Sequence, residues 1–492
     1  MSTMEKLVID QENGLLPIVT FDENITWSNL LRVAAPHLDQ RGLERLKICL
    51  QATTKCVAVE RHYIDKDYRD TFANFHAKKF STPDARCVRL HFFSSPLTRD
   101  QLHNAATAQG CYLGYSVIRP TRPNCVGRTL LEPNAVGLAN CHICLCTEEV
   151  SIQGTVLEVP GFPFISQDAE VTVCAQSALW MLTRYFSNRY HVYPEMYPFR
   201  LTALTKDYSI GRLVPAAGLY VWQMAEALRQ VGYAPVIYDC HDDKNNFKHI
   251  MYTYIESGIP ILAAFNNHVV VLFGHRSDFS SHAASADPQQ KILFSSGFNR
   301  EFIGNDDNEF PYQALVDTVR TGSMNRPLSD VERFIAALPE RVFLRAEGFE
   351  ALVTNLLLES EVGFRKFSPT IARAKPILRM FLATGRSFKK RIANRGMGHR
   401  LVAEAYRNLP LPHFIWICEI SHPEFYPAKI LGEVIWDATR NAYERDGWIA
   451  VHYPEFLALD AGAALNKPQN LVKFPLVAGV EYPIFENNLR RL

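Results

Sequence analysis

Apolar positions change period along this chain, and the changes outline its organisation. Residues 46–60 (LKICLQATTKCVAVE), 86–93 (RCVRLHFF) and 112–119 (YLGYSVIR) are rich in β-branched and aromatic side chains and predict strands. A helix is expected at 100–110, between the last two. The Pro- and Gly-bearing stretch 119–137 (RPTRPNCVGRTLLEPNAVG) predicts a loop, and VPGFPF at 159–164 a boundary. From residue 172 the period becomes helical, with Ala175, Ala178, Leu179, Leu182 and Phe186 in phase and Thr172 as the expected N-cap. Further helices are expected over 217–231, stopping at Gly232, and 247–257, stopping at Gly258.

PILAAF and HVVVLFGH, parted by Asn266 and Asn267, predict a hairpin, and KILFSS and REFIGN predict further strands. Between those two pairs, the small polar stretch 277–290 reads as a loop. Beyond about residue 326 the pattern turns helical (SDVERFIAALP, AEGFEALVTNLLLES, PTIARAKPILRMFLAT, GHRLVAEAYRNL), with SDVE at 329–332 as helix-capping chemistry. The strands HFIWICEI, AKILGEVIWD and GWIAVHYP close the chain. The expected division is 1–158, mixed α/β; 159–326, a central domain; and 327–492, α/β.

Composition narrows the function classes. A chain of 492 residues exceeds one hydrophobic core, and 47% hydrophobic with 21% charged residues is an ordinary globular make-up. The formal net charge of +1 gives no broad attraction to nucleic acid or to an anionic membrane, so neither is an expected partner. The first residues do not pattern as a signal peptide, and no run reaches the ~18 apolar residues of a spanning helix. A soluble, cytoplasmic protein is expected. The 11 cysteines, an odd number without framework spacing, indicate reduced thiols, one of which can be reactive. No GxxxxGK[ST] loop is present, and no cofactor is expected.

The candidate nucleophile is Cys174 in VTVCAQSALWML, placed in the first turn of a helix whose unpaired N–H groups and dipole favour a thiolate. His268 opens a strand after the hairpin turn and is the first choice for the base. His275, an odd number of positions away, is its competitor, and regular alternation would let only one of them face Cys174. FIGNDDNEFPY supplies Asn305, Asp306 and Asp307 past a strand end. Asp306, with Asp307 as the alternative acid, is the expected partner to orient the imidazole, unless the pair only caps a polar turn. Gln167, in FPFISQD, is the expected side-chain donor to an oxyanion, beside the Cys174 backbone N–H.

The order Gln, Cys on a helix, His on a strand and Asp after the next strand resembles the papain-like cysteine peptidases. Among them it resembles the double-glycine peptidases that process bacteriocin leaders, over about residues 160–315. SQDAEVTVCAQSALWML and GIPILAAFNNHVVVLFGH carry the likeness. The resemblance implies an α+β fold whose papain-like core has a helical part with the Cys and an antiparallel sheet with the His and Asp, in a bacterial protein. It further implies Gln167 as oxyanion donor, Cys174 as nucleophile, His268 as general base and acid, and Asp306 as orienting group. The chain departs from that pattern in a Gln-to-Cys interval of seven instead of six, in Ala175 where Gly is usual, and in Asn-Asp-Asp in place of Asp-Pro.

Two other signals weigh less. CHICLC at 141–146 aligns His142, Cys144 and Cys146, but no second ligand pair lies nearby to complete a zinc set, so buried strand cysteines are expected and no metal. The basic stretch 379–400 reads as a solvated helix end. The expected function is hydrolysis of a peptide or isopeptide bond in a protein or peptide substrate, with a regulatory protein as a further possible partner. The alternatives are a transamidase using the same residues, and a non-catalytic or partner-activated interaction protein on the same scaffold.

Overall fold

The computed structural model describes residues 16–21, 27, 40–121, 126–209, 212–242, 246–279, 291–373, 375–395, 400–441, 447–460, 471–476 and 482–492. Three larger sheets, each carrying helices, make the chain an α+β protein. Strands pair antiparallel throughout the three, except where Leu293–Phe294 runs parallel to Ile377–Thr384. The flanking regions expected to be α/β are therefore antiparallel α+β units. Among the described residues no helix is long and apolar enough to cross a membrane.

The first sheet orders Ile18–Thr20, Cys56–Tyr63, Cys87–Phe93, Tyr112–Ile118 and Val126–Leu131 as sequential neighbours. Here two expectations are corrected. Residues 46–50 close the helix Gln40–Leu50, because the Leu43, Leu46 and Leu50 spacing is helical and the strand only starts at Cys56. The stretch 119–137 holds the strand Val126–Leu131, buried along its whole length, and a 3-10 turn Pro133–Val136; residues 122–125 lie outside the described residues. The helix expected at 100–110 is broken into Arg99–His103 and Ala105–Gln109, since Asn104 caps the second.

The second sheet orders Gln313–Leu315, Asn299–Asn305, His268–Ser277, Ile261–Phe265, Arg333–Pro339 and Tyr233–Asp239. His142–Ile143 also pairs with His268–Ser277, and Arg490–Arg491 pairs with His142–Ile143. This sheet thus draws strands from both sides of 159–326, and sheet boundaries do not coincide with cuts at 158 and 326. SDVERFIAALP is the central strand Arg333–Pro339, preceded by the short turn Leu328–Asp330, and not a capped helix. Its apolar run is buried on both faces, the pattern periodicity cannot tell from a short core helix.

The third sheet runs from Leu293–Phe294 through Ile377–Thr384, Phe414–Ser421, Gly432–Asp437, Trp448–Tyr453 and Phe456–Asp460 to Leu471–Pro475. ILRMFLAT, expected as helix, is one of its inner strands, paired with Phe414–Ser421 along eight positions. The basic stretch is not simply a solvated helix end either, because Arg379 and Arg391 are buried. Arg379 donates to Glu256 at 2.6 Å and Glu419 at 2.8 Å, and Arg391 to Glu433 at 2.9 Å. Residues 396–399 of that stretch lie outside the described residues. One buried apolar cluster runs from Val19 through Trp180 and Phe273 to Trp436. Removing one member of a buried ion pair strands its partners, so Arg379→Met is expected to cost about 3–5 kcal/mol, read as a lowered urea midpoint. A midpoint unchanged from wild type would contradict that role.

Candidate active site

Cys174 is the first residue of the helix Cys174–Arg189. As the first helical residue its N–H has no intrahelical acceptor. Ala178, Leu179, Trp180 and Leu182 bury the next turns, and the helix packs on His268–Ser277. Trp180 Nε1 and Arg184 Nη2 both donate to Oδ1 of the buried Asp67, at 2.9 and 2.8 Å, which ties the helix to the helix Lys66–Asn74. Cys174 itself stays partly exposed.

Thr172 is not the N-cap; Val173 holds that place and offers no side-chain acceptor. Thr172 is taken by Asp168, whose Oδ1 accepts the N–H groups of Glu170, Val171 and Thr172 at 2.8–2.9 Å while its own N–H donates to the Thr172 hydroxyl. Asp168 N–H also donates to the Thr172 carbonyl, and Ala169 sits at φ 59°. The Gln167-to-Cys174 interval thus contains a closed turn with Ala169 in the left-handed region.

On the opposite wall the two-residue hairpin forms as expected, with Phe265 facing His268 and Asn267 at φ 59°. The helices ending at Gly232 and Gly258 are also present, as Val221–Val231 and Phe247–Glu256, and both glycines have positive φ, 103° and 71°. His268 is buried and its Nε2 is 3.0 Å from Asp306 Oδ1. Nδ1 is its nitrogen not engaged by Asp306, and the Cys174 thiol is among the groups that act on the ring. Burial by itself lowers the His268 pKa. The hydrogen bonds to Asp306 and Cys174 and the charges of Asp306 and Asp307 outweigh it and raise the pKa to about 10.

Asp306 serves both readings made from sequence: its Oδ1 also accepts the Asn308 N–H at 2.9 Å, capping the turn. Asp307 is 1% exposed and stands 4.0 Å from His268 Nε2. Burial, followed by the neighbouring Asp306 charge, pushes its carboxyl up to about 7 against the opposing pull of His268. Asn305 faces away, holding Pro163 O at 3.1 Å and the Tyr312 N–H at 2.9 Å. Gln167 reaches this cluster through Asn308, to whose Oδ1 its Nε2 donates. Asn308 and Asp168 escaped the sequence reading; for Asp168, an Asx side chain two to four residues before the N–H groups it caps is the only trace there.

His275 is not at the site. Its Nε2 is 2.9 Å from Glu256 and its ring stacks on His142 at 5.3 Å. The strand carries an irregularity between Leu272 and Gly274, so strict alternation does not separate the two histidines; their partners do. Cys144 and Cys146 are buried, and burial pushes each thiol up to about 12. Of the loop expected at 277–290, residues 280–290 lie outside the described residues.

His268, Asp306 and Asp307 place one nitrogen and two carboxylate ligand atoms within 4.8 Å of one another, a set able to hold a divalent cation. Asp239, Cys240 and His241 form a second such group, more open to solvent, where Arg333 already pairs with Asp239 at 2.7 Å. No family model, no curated protein and no solved structure matches this chain.

Folding raises His268 from 6.5 to about 10, so the native state retains a proton that the unfolded chain has released between those values. The resulting stability is complete below pH ~6.5 and lost as pH rises through ~10. Urea midpoints are expected to fall across that window in wild type and to flatten in His268→Gln. Parallel profiles would contradict the assignment.

Proposed function

We propose that the chain is a papain-like cysteine peptidase, hydrolysing a peptide or isopeptide bond of a protein substrate. The observation that carries this reading is His268 held between Asp306 and a partly exposed Cys174 at a helix N-terminus. Nucleophile, base and orienting acid then follow one another at hydrogen-bond range, the arrangement that activates a thiol.

In this mechanism the Cys174 thiolate attacks the scissile carbonyl carbon while imidazolium His268 stands beside it. The carbonyl oxygen gathers negative charge and is met by the Cys174 N–H and by the second N–H of the Gln167 amide, the first being engaged by Asn308. As the C–N bond breaks, His268 gives its proton to the leaving amine. A water then attacks the thioester carbonyl carbon, His268 accepts its proton, and the C–S bond breaks to release the acid and restore the Cys174 thiolate beside imidazolium His268. Asp306 keeps the ring oriented and balances its charge through both steps.

Metal is not required by this scheme, although the His268, Asp306 and Asp307 set invites the comparison. Incubation with a fluorogenic peptide library is expected to reveal cleavage that survives EDTA and is abolished in Cys174→Ala. Asp306→Asn should lower kcat by about 10²-fold or more, in the range of general acid–base contributions. Cleavage unaffected by Cys174→Ala, or removed by EDTA and restored by a divalent cation, would overturn the proposal. Iodoacetamide should label Cys174 faster in wild type than in His268→Ala, as followed by peptide mass mapping. Equal rates in the two proteins would break the Cys–His pair on which the proposal rests.

A further inference from the structure

Three side chains of different donor chemistry converge on one turn at the edge of the second sheet. Tyr233–Asp239 is the outermost strand in that sheet's order, and the chain leaves it through a turn closed by the Asp242 N–H on the Asp239 carbonyl at 3.2 Å. The Cys240 N–H donates to the Glu332 carbonyl at 2.9 Å, and the Cys240 side chain packs against the main apolar cluster. The turn is therefore seated on the segment that leads into Arg333–Pro339. Asp239, Cys240 and His241 bring a carboxylate oxygen, a thiol sulfur and an imidazole nitrogen within 4.8 Å of one another.

Hydrogen bonding alone does not satisfy this arrangement. His241 Nδ1 is 2.8 Å from Asp239 Oδ1 and 3.5 Å from Cys240 Sγ, so one nitrogen faces both partners. Protonated, Nδ1 donates to the carboxylate and offers the thiol no acceptor. Unprotonated, it can accept from the thiol but sets its lone pair against a carboxylate oxygen. A nucleophile relay needs the two ring nitrogens to serve different partners, so this trio is not a second one. A cation at the point where the three atoms converge serves all of them.

From this convergence we infer that Asp239, Cys240 and His241 bind a zinc ion through Oδ1, Sγ and Nδ1. Tetrahedral zinc, about 2.3 Å from sulfur and about 2.0–2.1 Å from nitrogen and oxygen, sets its S and N ligands about 3.6 Å apart and its N and O ligands about 3.3 Å apart. The observed 3.5 Å already fits, and the 2.8 Å contact opens by a small turn of the His241 ring, which is 74% exposed. The carboxylate is oriented for the role: Arg333 Nε holds Oδ2 at 2.7 Å, and the His241 N–H holds Oδ1 at 3.0 Å. That N–H, followed by the His241 ring, draws the carboxyl down to about 2, so it is ionised at neutral pH. A thiolate with an imidazole selects zinc over magnesium or calcium, which take oxygen ligands. Coordination replaces the Cys240 thiol proton, which leaves to solvent, and three protein donors leave the fourth position to water. The bound ion pins the end of the edge strand to the turn that follows it.

This turn shares no residue with the Cys174 site, and titrating the full chain as Cys174→Ala keeps that thiol from contributing. After treatment with EDTA and its removal, cobalt(II) is expected to give a thiolate-to-cobalt charge-transfer absorption that saturates at about one equivalent and is bleached by zinc(II). Cys240→Ser should abolish that absorption. In competition with a chromophoric chelator, His241→Ala and Asp239→Asn should each weaken zinc binding at least about ten-fold. Zinc should also slow iodoacetamide labelling of Cys240, followed by peptide mass mapping, and should fail to do so in His241→Ala. Absence of the absorption, its survival in Cys240→Ser, zinc affinity unaltered in a folded His241→Ala protein, or magnesium competing as well as zinc would overturn the assignment.

Discussion

Glu256 is the carboxylate on which the arrangement of the sheets turns. It is 3% exposed at the end of the helix Phe247–Glu256, and a charge so placed is tolerated only when its partners are fixed around it. They come from separate parts of the chain: the Tyr252 hydroxyl from its own helix at 2.8 Å, His275 from the second sheet at 2.9 Å and Arg379 from the third at 2.6 Å. Burial raises the Glu256 pKa, and the Arg379 charge followed by the His275 hydrogen bond overrides it and holds the carboxyl well below its ordinary range. Arg379 passes the demand on to Glu419, which accepts the Phe485 N–H at 2.6 Å. The last residues of the chain are thereby bound to the same network.

This network and the candidate site lie on one strand. His268–Ser277 is held toward its far end by His275 and by pairing with His142–Ile143, which leaves its first residue, His268, to meet Asp306. Close backbone approach keeps that meeting in register: a side chain at Gly304 would lie 2.3 Å from the Val271 carbonyl, and one at Gly274 would lie 2.4 Å from Ile143. Across from it, Asp67 fixes the helix that starts at Cys174. The nucleophile and the base are thus positioned by two unrelated buried carboxylates, one reaching into each flanking unit. A papain-like reading of residues 160–315 alone would omit Asp67 and the Arg379 that pairs with Glu256.

Much of the site was legible in sequence because its signals are local. A glycine must end a helix that needs a positive φ, as Gly232 and Gly258 do, and two asparagines between apolar runs specify a hairpin, so the position of His268 followed from its neighbours. Asp306 was legible for the same reason, as a carboxylate just past a strand. What escaped depends on partners remote in the chain. Arg379 and Arg391 look like surface charge until Glu256, Glu419 and Glu433 are brought to them, and FIAAL reads as helix until strands on both sides bury it. Thr172 looks like a cap because nothing local announces that Asp168 will claim it.

Asp307 exposes a tension that the pairing of His268 and Asp306 does not resolve. A carboxylate 1% exposed is costly to ionise, and its neighbour Asp306 makes that cost larger. A proton on Asp307 removes one of the two negative charges that raise the His268 pKa. Ionising Asp307 places a second negative charge 4.0 Å from the ring and binds the imidazolium proton more firmly. A base that must release its proton to a leaving amine loses effectiveness as that grip tightens. The neutral form of Asp307 is thus the one compatible with proton transfer, and burial together with the Asp306 charge favours it.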